Sequence, residues 1–287
     1  MMAAPDPVAG RNILLVDDDR GLRHVLSSLL TDAGHQVDTA GDGPGAVARL
    51  DRGAIDIVLL DLGLPGMSGL EVLKHARALK SPPLVIVMTA DDTSETLLEA
   101  VRRQAYRYLR KPFAPNEVVD LVAGAIATAP AAALSIEVVS AKPEWLEVIA
   151  PCSLEMADRI QSFVMHLEAD LPEAVRESVA QAFRELLTNA IEWGGKKDPR
   201  KKVRISCVRA KRMLLYRIAD PGKGFDIDKL RHAAISNPAD DPLRHFAERE
   251  EKGIRPGGFG LAMTRSLVNE LIYNEARNEV ICIKYLD

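Results

Sequence analysis

The chain has 287 residues, 47% of them hydrophobic and 27% charged, with a formal net charge of −4. That is enough for about two ordinary domains, each with a packed core, and it excludes wholesale disorder. The first half is acidic and the second charge-balanced, so the basic footprint of a protein that binds nucleic acid or anionic membrane is missing. Cys152, Cys207 and Cys282 lie far apart, with no CxxC or Cys/His zinc pattern; free, reduced thiols in a cytoplasmic protein are expected. The N-terminus has no basic start followed by an apolar stretch, so no signal peptide is expected. The Ala-rich stretch Val122 to Ile136, broken by Pro130, is too short to span a bilayer.

In chain order, Ile13–Val16, Ile57–Leu60 and Leu84–Met88 are continuous apolar runs of strand length, the pattern of buried parallel strands. Gln36–Thr39 and Tyr106–Leu109 are weaker strands. Helical periodicity marks 21–33, 43–52, 69–79, 93–103 and 115–127. Five strands alternating with five helices predict an α/β, doubly wound parallel sheet over residues 10–128. An Ala/Pro stretch at 129–135 reads as a linker.

From 136 to 287 the rhythm changes to paired strands and helices, an α+β layer. Strands are expected at 136–140, 145–150, 203–209, 214–220 and 280–285, and helices at 154–168, 172–193 and 259–271. A long charged loop separates Gly224 from Gly257 and is expected to form a lid, with His232 and His245 on its surface.

Asp17 and Asp18 follow the first strand, Asp61 the third, Thr89 the fourth and Lys111 the fifth. In an open parallel sheet all five meet at the carboxyl edge, where ligands bind. Clustered carboxylates repel one another, and a hard cation such as Mg²⁺ relieves this. The Lys111 ammonium and Thr89 hydroxyl can hold phosphoryl oxygens. Asp19 is expected to be a helix cap. The strings ILLVDDD, LLDLGLPGMSG, VIVMTA and YLRKPF resemble the response-regulator receiver family over about 10–128. That resemblance implies Asp61 as phosphoacceptor and Asp17 and Asp18 as Mg²⁺ ligands. It also implies Thr89 and Tyr108 as the switch pair, and Lys111 before a cis Pro112.

The second half holds three weaker signals. In FRELLTNAIEWGG, Glu185 and Asn189 share a helix face, with Glu192 further along; an acid can deprotonate a nucleophile, and an amide oxygen can ligate Mg²⁺. In IADPGKGFDI, Asp220 ends a strand before Gly222 and Gly224; a carboxylate can accept from the adenine amine while glycines let backbone approach the base. In RPGGFGLAMTRSL, a glycine-rich turn with Gly258 and Gly260 opens a helix whose free N–H groups can hold phosphate. No GxxxxGK[ST] string is present, so a P-loop is not the route to ATP.

Their order resembles the ATP-binding boxes of the Bergerat-fold ATPases over about 136–287, and most closely the anti-sigma-factor serine kinases. The resemblance implies Glu185 as base, Asn189 as Mg²⁺ ligand and Asp220 as adenine reader, with Gly222, Gly224, Gly258 and Gly260 as backbone contacts. Trp193 departs from it, standing where many relatives have histidine, and is expected to pack at the helix end. His166 lies on a single helix preceded by strands, without the acid-Leu-Arg-x-Pro sequence of a phosphorylatable histidine. It is expected to be a helix-surface residue.

Together these imply a two-component response regulator whose output domain binds MgATP and acts as a serine/threonine kinase of the anti-sigma-factor type. The partners implied are an upstream histidine kinase and an anti-sigma-factor antagonist or a sigma factor; a homodimer is left open. The alternatives are an ATP-dependent sequestering module without kinase chemistry, and an atypical histidine kinase.

Overall fold

The computed structural model describes residues 10–90, 93–128, 135–226, 251 and 260–286. The chain divides into two compact units, Met1–Ala133 and Leu134–Asp287. The expected linker, apart from residue 135, and most of the expected lid, with His232 and His245, lie outside the described residues.

The first unit is a five-stranded parallel sheet in the order β2-β1-β3-β4-β5. Its strands are β1 (Asn12–Val16), β2 (Gln36–Ala40), β3 (Ile57–Asp61), β4 (Leu84–Thr89) and β5 (Arg107–Arg110), alternating with α1 (Arg20–Asp32), α2 (Gly43–Leu50), α3 (Gly69–Ala78), α4 (Ser94–Arg102) and α5 (Pro115–Thr128). Every residue of β3 is buried, which is why its sequence is continuously apolar up to Asp61. Leu26 and Leu30 of α1 and Val118 and Val122 of α5 share one core with Ile13, Leu15, Ile57 and Ile86. Local chemistry starts the helices. Asp19 caps α1 by accepting from the N–H groups of Gly21 and Leu22, as expected, and Ser68 and Glu71 form a reciprocal capping box on α3. Gly69 opens α3 against the end of β3: a Cβ there would stand 2.1 Å from the Asp61 carbonyl oxygen. A side chain at 69 would push the helix away from the residue that ends β3.

The second unit is a six-stranded antiparallel sheet, ordered β10-β11-β9-β8-β7-β6. Its strands are β6 (Glu137–Lys142), β7 (Trp145–Pro151), β8 (Lys202–Ala210), β9 (Met213–Ala219), β10 (Glu270–Tyr273) and β11 (Glu279–Tyr285). The helices are α6 (Leu154–Leu167), α7 (Glu173–Asn189) and a third, here α8 (Gly260–Leu267). β9 alternates, burying Leu214, Tyr216 and Ile218. The Phe183 ring of α7 meets Tyr216 at 5.3 Å between centroids, so α7 covers that face. Val179, Ala182, Phe183, Leu186 and Leu187 form its buried stripe.

Two expectations are corrected. The helix expected over 259–271 ends at Leu267, and Glu270–Tyr273 is a strand instead. Its four residues pair with β11 from Glu270↔Ile283 to Tyr273↔Val280. Lys284 Nζ caps the Leu267 carbonyl at 2.9 Å. Sheet pairing outweighs the helical periodicity that runs past Leu267. At the end of α7 the backbone loosens into a π turn, Ala190–Gly194. There Trp193 is 47% exposed rather than packed, with Lys196 Nζ 5.8 Å from its ring centroid.

All three cysteines are free and buried, Cys152 after β7, Cys207 on β8 and Cys282 on β11. Burial pushes the Cys152 thiol up to about 11 and the Cys282 thiol up to about 12, and raises Cys207 as well. Glu168, which ends α6, is 4% exposed. It accepts from the Tyr216 hydroxyl at 3.2 Å, while the Arg209 guanidinium stands 3.5 Å off and binds Asp170 with two bonds of 2.7 Å. Burial pushes Glu168 up to about 7 against these partners. Among the described residues no helix is long and apolar enough to cross a membrane.

Candidate functional site

The reversal of strand order between β1 and β3 opens a crevice at the carboxyl ends of the first sheet. Asp17 leaves β1 fully buried, and Asp61 ends β3 at 6% exposure. Asp18 is exposed, yet one carboxylate oxygen from each of Asp17, Asp18 and Asp61 lies within 4.8 Å of the others. Lys111 Nζ bridges Asp17 Oδ2 and Asp61 Oδ2, 2.6 Å from each. The remaining oxygens take backbone donors: Asp19 N–H to Asp17 Oδ1 at 3.0 Å, and Gly63 N–H to Asp61 Oδ1 at 2.9 Å.

Burial lifts the Asp17 carboxyl above the ordinary aspartate range, although the Lys111 bond and the Asp19 amide pull it down. Burial also opposes the charge on Lys111, but its two aspartate bonds prevail and raise it. Three carboxylates against one ammonium leave the cluster short of positive charge. An all-oxygen donor set with that deficit fits a hard divalent cation such as Mg²⁺.

Thr89, the last residue of β4, is 1% exposed. Its carbonyl accepts from the Lys111 N–H at 2.8 Å, tying the ends of β4 and β5 together. Tyr108 lies buried in β5 opposite Val87. The Lys111–Pro112 bond is cis.

In the second unit, Asn189 Nδ2 donates to Glu185 Oε1 at 3.1 Å along α7. Gly260, first residue of α8, faces the same carboxylate: a Cβ there would lie 1.7 Å from Glu185 Oε1. The two helices are tied further by Gln181 Nε2 and Met263 Sδ, 3.0 Å apart. Directly after Asn189 the π turn that ends α7 brings Gly194 against Asp220, where a Cβ would stand 2.1 Å from Asp220 Oδ1. Asp220 Oδ1 accepts the Gly222 N–H at 2.7 Å, and burial raises its carboxyl against that bond. Gly224 adopts φ +79°, the left-handed region that glycine enters without strain.

Glu185, Asn189, Gly260, Asp220, Gly222 and Gly224 are thus linked through α7 and its terminal turn, whereas Gly258 lies outside the described residues. Glu192, with a nearly buried side chain, pairs with Lys197 at 2.9 Å. His166 Nδ1 lies 2.6 Å from the Ser162 carbonyl oxygen of its own helix.

Sequence reasoning missed Gly194. Its only signal is the Gly-Gly pair that ends the helix, and glycine after a helix normally reads as a stop. Nor did sequence reasoning give a role to Asn278, whose amide reaches the Gly222 carbonyl at 3.0 Å from a strand end far along the chain.

Residues 13–123 match the family model of the response regulator receiver domain, and residues 151–284 that of the histidine kinase-like ATPase domain. The chain is similar to the sensory transduction protein RegX3 of Mycolicibacterium smegmatis, 41% identical over 108 residues covering 38% of this chain and 47% of the relative. It thus spans about half the length of that relative. It is also 33% identical to the DNA-binding response regulator MtrA of Mycolicibacterium paratuberculosis, over 64% of this chain and 80% of the relative. Among solved structures, a CheY-like response regulator receiver domain protein from Methanospirillum hungatei matches at 24% identity with a TM-score of 0.42, covering 43% of this chain and 98% of that one.

Proposed function

This chain belongs to the response-regulator family and carries a histidine-kinase-like ATPase domain after its receiver, and on that premise we propose that phosphorylation of Asp61 governs a MgATP-binding output. An upstream histidine kinase supplies the phosphoryl group. Asp17, Asp18 and Asp61 would hold a Mg²⁺, which would neutralise phosphoryl oxygens next to Asp61. Lys111, already 2.6 Å from Asp61, pairs with the added phosphate, and the Thr89 hydroxyl receives a phosphoryl oxygen. Tyr108 shifts with Thr89, so the charge change becomes a change of surface.

In the output domain Asp220 accepts from the adenine amine, and Asn189 would hold the nucleotide's Mg²⁺. Backbone N–H groups around Gly222, Gly224, Gly258 and Gly260 contact the nucleotide. Glu185 takes the proton of a serine or threonine hydroxyl on a partner protein of the anti-sigma-factor antagonist type. The observation that supports this reading is two sets of contacts, Gly260–Glu185–Asn189 and Gly194–Asp220, joined by the π turn Ala190–Gly194. Glu185 and Asn189 share the last turns of α7, and the half-buried Asp220 carboxylate after β9 meets the turn that follows, with glycines at the points of close approach. The DNA binding named for MtrA is not carried over, because residues 151–284 match the ATPase model.

Calorimetry of MgATP binding, with and without beryllofluoride on Asp61, tests the scheme, with Asn189→Ala as the control for a disabled pocket. Binding that shifts with beryllofluoride is expected. Absence of binding in the wild-type chain overturns the nucleotide pocket. Glu185→Gln is expected to abolish phosphoryl transfer while leaving MgATP bound; a variant that still transfers removes Glu185 as the base.

A further inference from the structure

The loop that carries Asp220 is gripped by the turn joining β10 to β11. The Asp220 N–H donates to the Asn278 carbonyl at 2.8 Å. The Asn278 side chain returns the contact, Nδ2 donating to the Gly222 carbonyl at 3.0 Å. Gly222 in turn donates its N–H to Asp220 Oδ1 at 2.7 Å. The two peptide planes flanking Gly222 are therefore fixed, one by Asn278 and one by Asp220 itself.

Asn278 has its own support. Asn274 Nδ2 donates to Asn278 Oδ1 at 2.8 Å, and Asn274 Oδ1 accepts the N–H groups of Asn278 and Glu279, each at 3.1 Å. The rest of the loop seats on the same turn. Gly224 passes so close that a Cβ would fall 1.5 Å from the Ala276 carbonyl oxygen. The Phe225 ring meets the Tyr273 ring edge-on, with centroids 5.6 Å apart. Arg277, directly before Asn278, sits at φ 58°, a left-handed conformation that a non-glycine residue holds only where its surroundings impose it.

We infer that Asn278 is a positioning residue of the nucleotide pocket: through Gly222 it aims the Asp220 carboxylate at the base. This rests on the reading of Asp220 as the adenine acceptor. A carboxamide is needed because the position must donate to Gly222 and accept from Asn274 at once. Aspartate has nearly the same shape and keeps the acceptor, but it loses the donor and sets a carboxylate against a carbonyl. Asn278 touches neither phosphate nor metal in this scheme, so its loss acts on base recognition.

The experiment compares two ligands on the full-length chain: MgATP, and the Mg²⁺ complex of purine riboside triphosphate, which lacks the exocyclic amine. In wild type, MgATP binds more tightly. Asn278→Asp is expected to weaken MgATP about tenfold, the order of one charge-assisted hydrogen bond. Binding of the amine-free analogue stays within about twofold, and although the lost hydrogen bond lowers the unfolding midpoint without ligand, the variant is expected to remain folded at the assay temperature. Asn274→Ala, at an exposed position, is expected to reduce the preference for MgATP in the same direction by about threefold. It decides the matter if Asn278→Asp does not fold. Equal weakening of both ligands, or an unchanged preference in the folded variants, overturns the role of Asn278 while leaving the pocket standing. A wild-type chain that binds no MgATP removes the pocket and this role together.

Discussion

In the first domain Lys111 stands between Asp17 and Asp61, 2.6 Å from each, and charge holds the carboxylates where they are. In the second, Glu185 receives an amide and Asp220 a backbone N–H, while glycines at 260 and 194 leave room beside them. A charged clamp keeps Asp61 in place within a buried crevice that is short of positive charge. In the second site neutral donors and close-packed glycines hold Glu185 and Asp220, with no cationic side chain between them among the described residues. The two sites should therefore fail differently when changed.

The largest effect is expected at the acceptor. Asp61→Asn should abolish phosphoryl incorporation from a small phosphodonor, read as loss of acid-labile phosphoprotein; retained label at another residue would break the assignment. Next is the clamp. Lys111→Met leaves Asp17 buried without its cation and should cost about 3 kcal/mol in urea unfolding at neutral pH without divalent ions. Added Mg²⁺ should restore part of that, and a variant as stable as wild type would show that charge is not what holds this cluster.

Glu168 has a weaker clamp: it is buried, with a hydroxyl donor at 3.2 Å and the Arg209 guanidinium 3.5 Å away. Its folded carboxyl, raised to about 7 from 4.5, binds its proton more tightly than in the unfolded chain. Stability should thus be greatest below about pH 4.5 as far as this group is concerned, and fall as pH rises to about 7, by up to about 3 kcal/mol. Glu168→Gln should remove that slope, measured as the difference between wild-type and variant unfolding at pH 5 and pH 8. Smallest in energy is the space-keeping glycine. Gly260→Ala should cost only about 1–3 kcal/mol of stability yet remove MgATP binding, because the new Cβ displaces Glu185 Oε1 and with it the Asn189 amide bonded to that oxygen. Unchanged affinity would sharpen the comparison against the second site.

The first sheet was legible because each apolar strand ends at a chemically distinct residue: Val16 before Asp17, Leu60 before Asp61, Met88 before Thr89. Strand ends in a parallel sheet share one edge, so order along the chain translates into proximity. The second site was legible only in pieces. Glu185 and Asn189 share a helix face by spacing alone, but their relation to Asp220 depends on the π turn at Ala190–Gly194, which no local pattern announces. Glu270–Tyr273 continues the helical periodicity of α8, and it is a strand because β11 offers it a partner. Asn278 reads as a hairpin residue until the Gly222 carbonyl is seen across 56 residues.

Cys152, Cys207 and Cys282 all lie in the second unit, buried, and the first unit has no cysteine. The protein therefore carries an internal clock for one domain alone. A thiol reagent such as a maleimide reaches these buried sulfurs only when the β7–β8–β11 region opens. The rate of labelling reads how often that sheet breathes, with no signal from the receiver. Following it while beryllofluoride is added to Asp61 would show, without any nucleotide or partner protein, whether a charge placed on one domain is felt as tightening or loosening in the other.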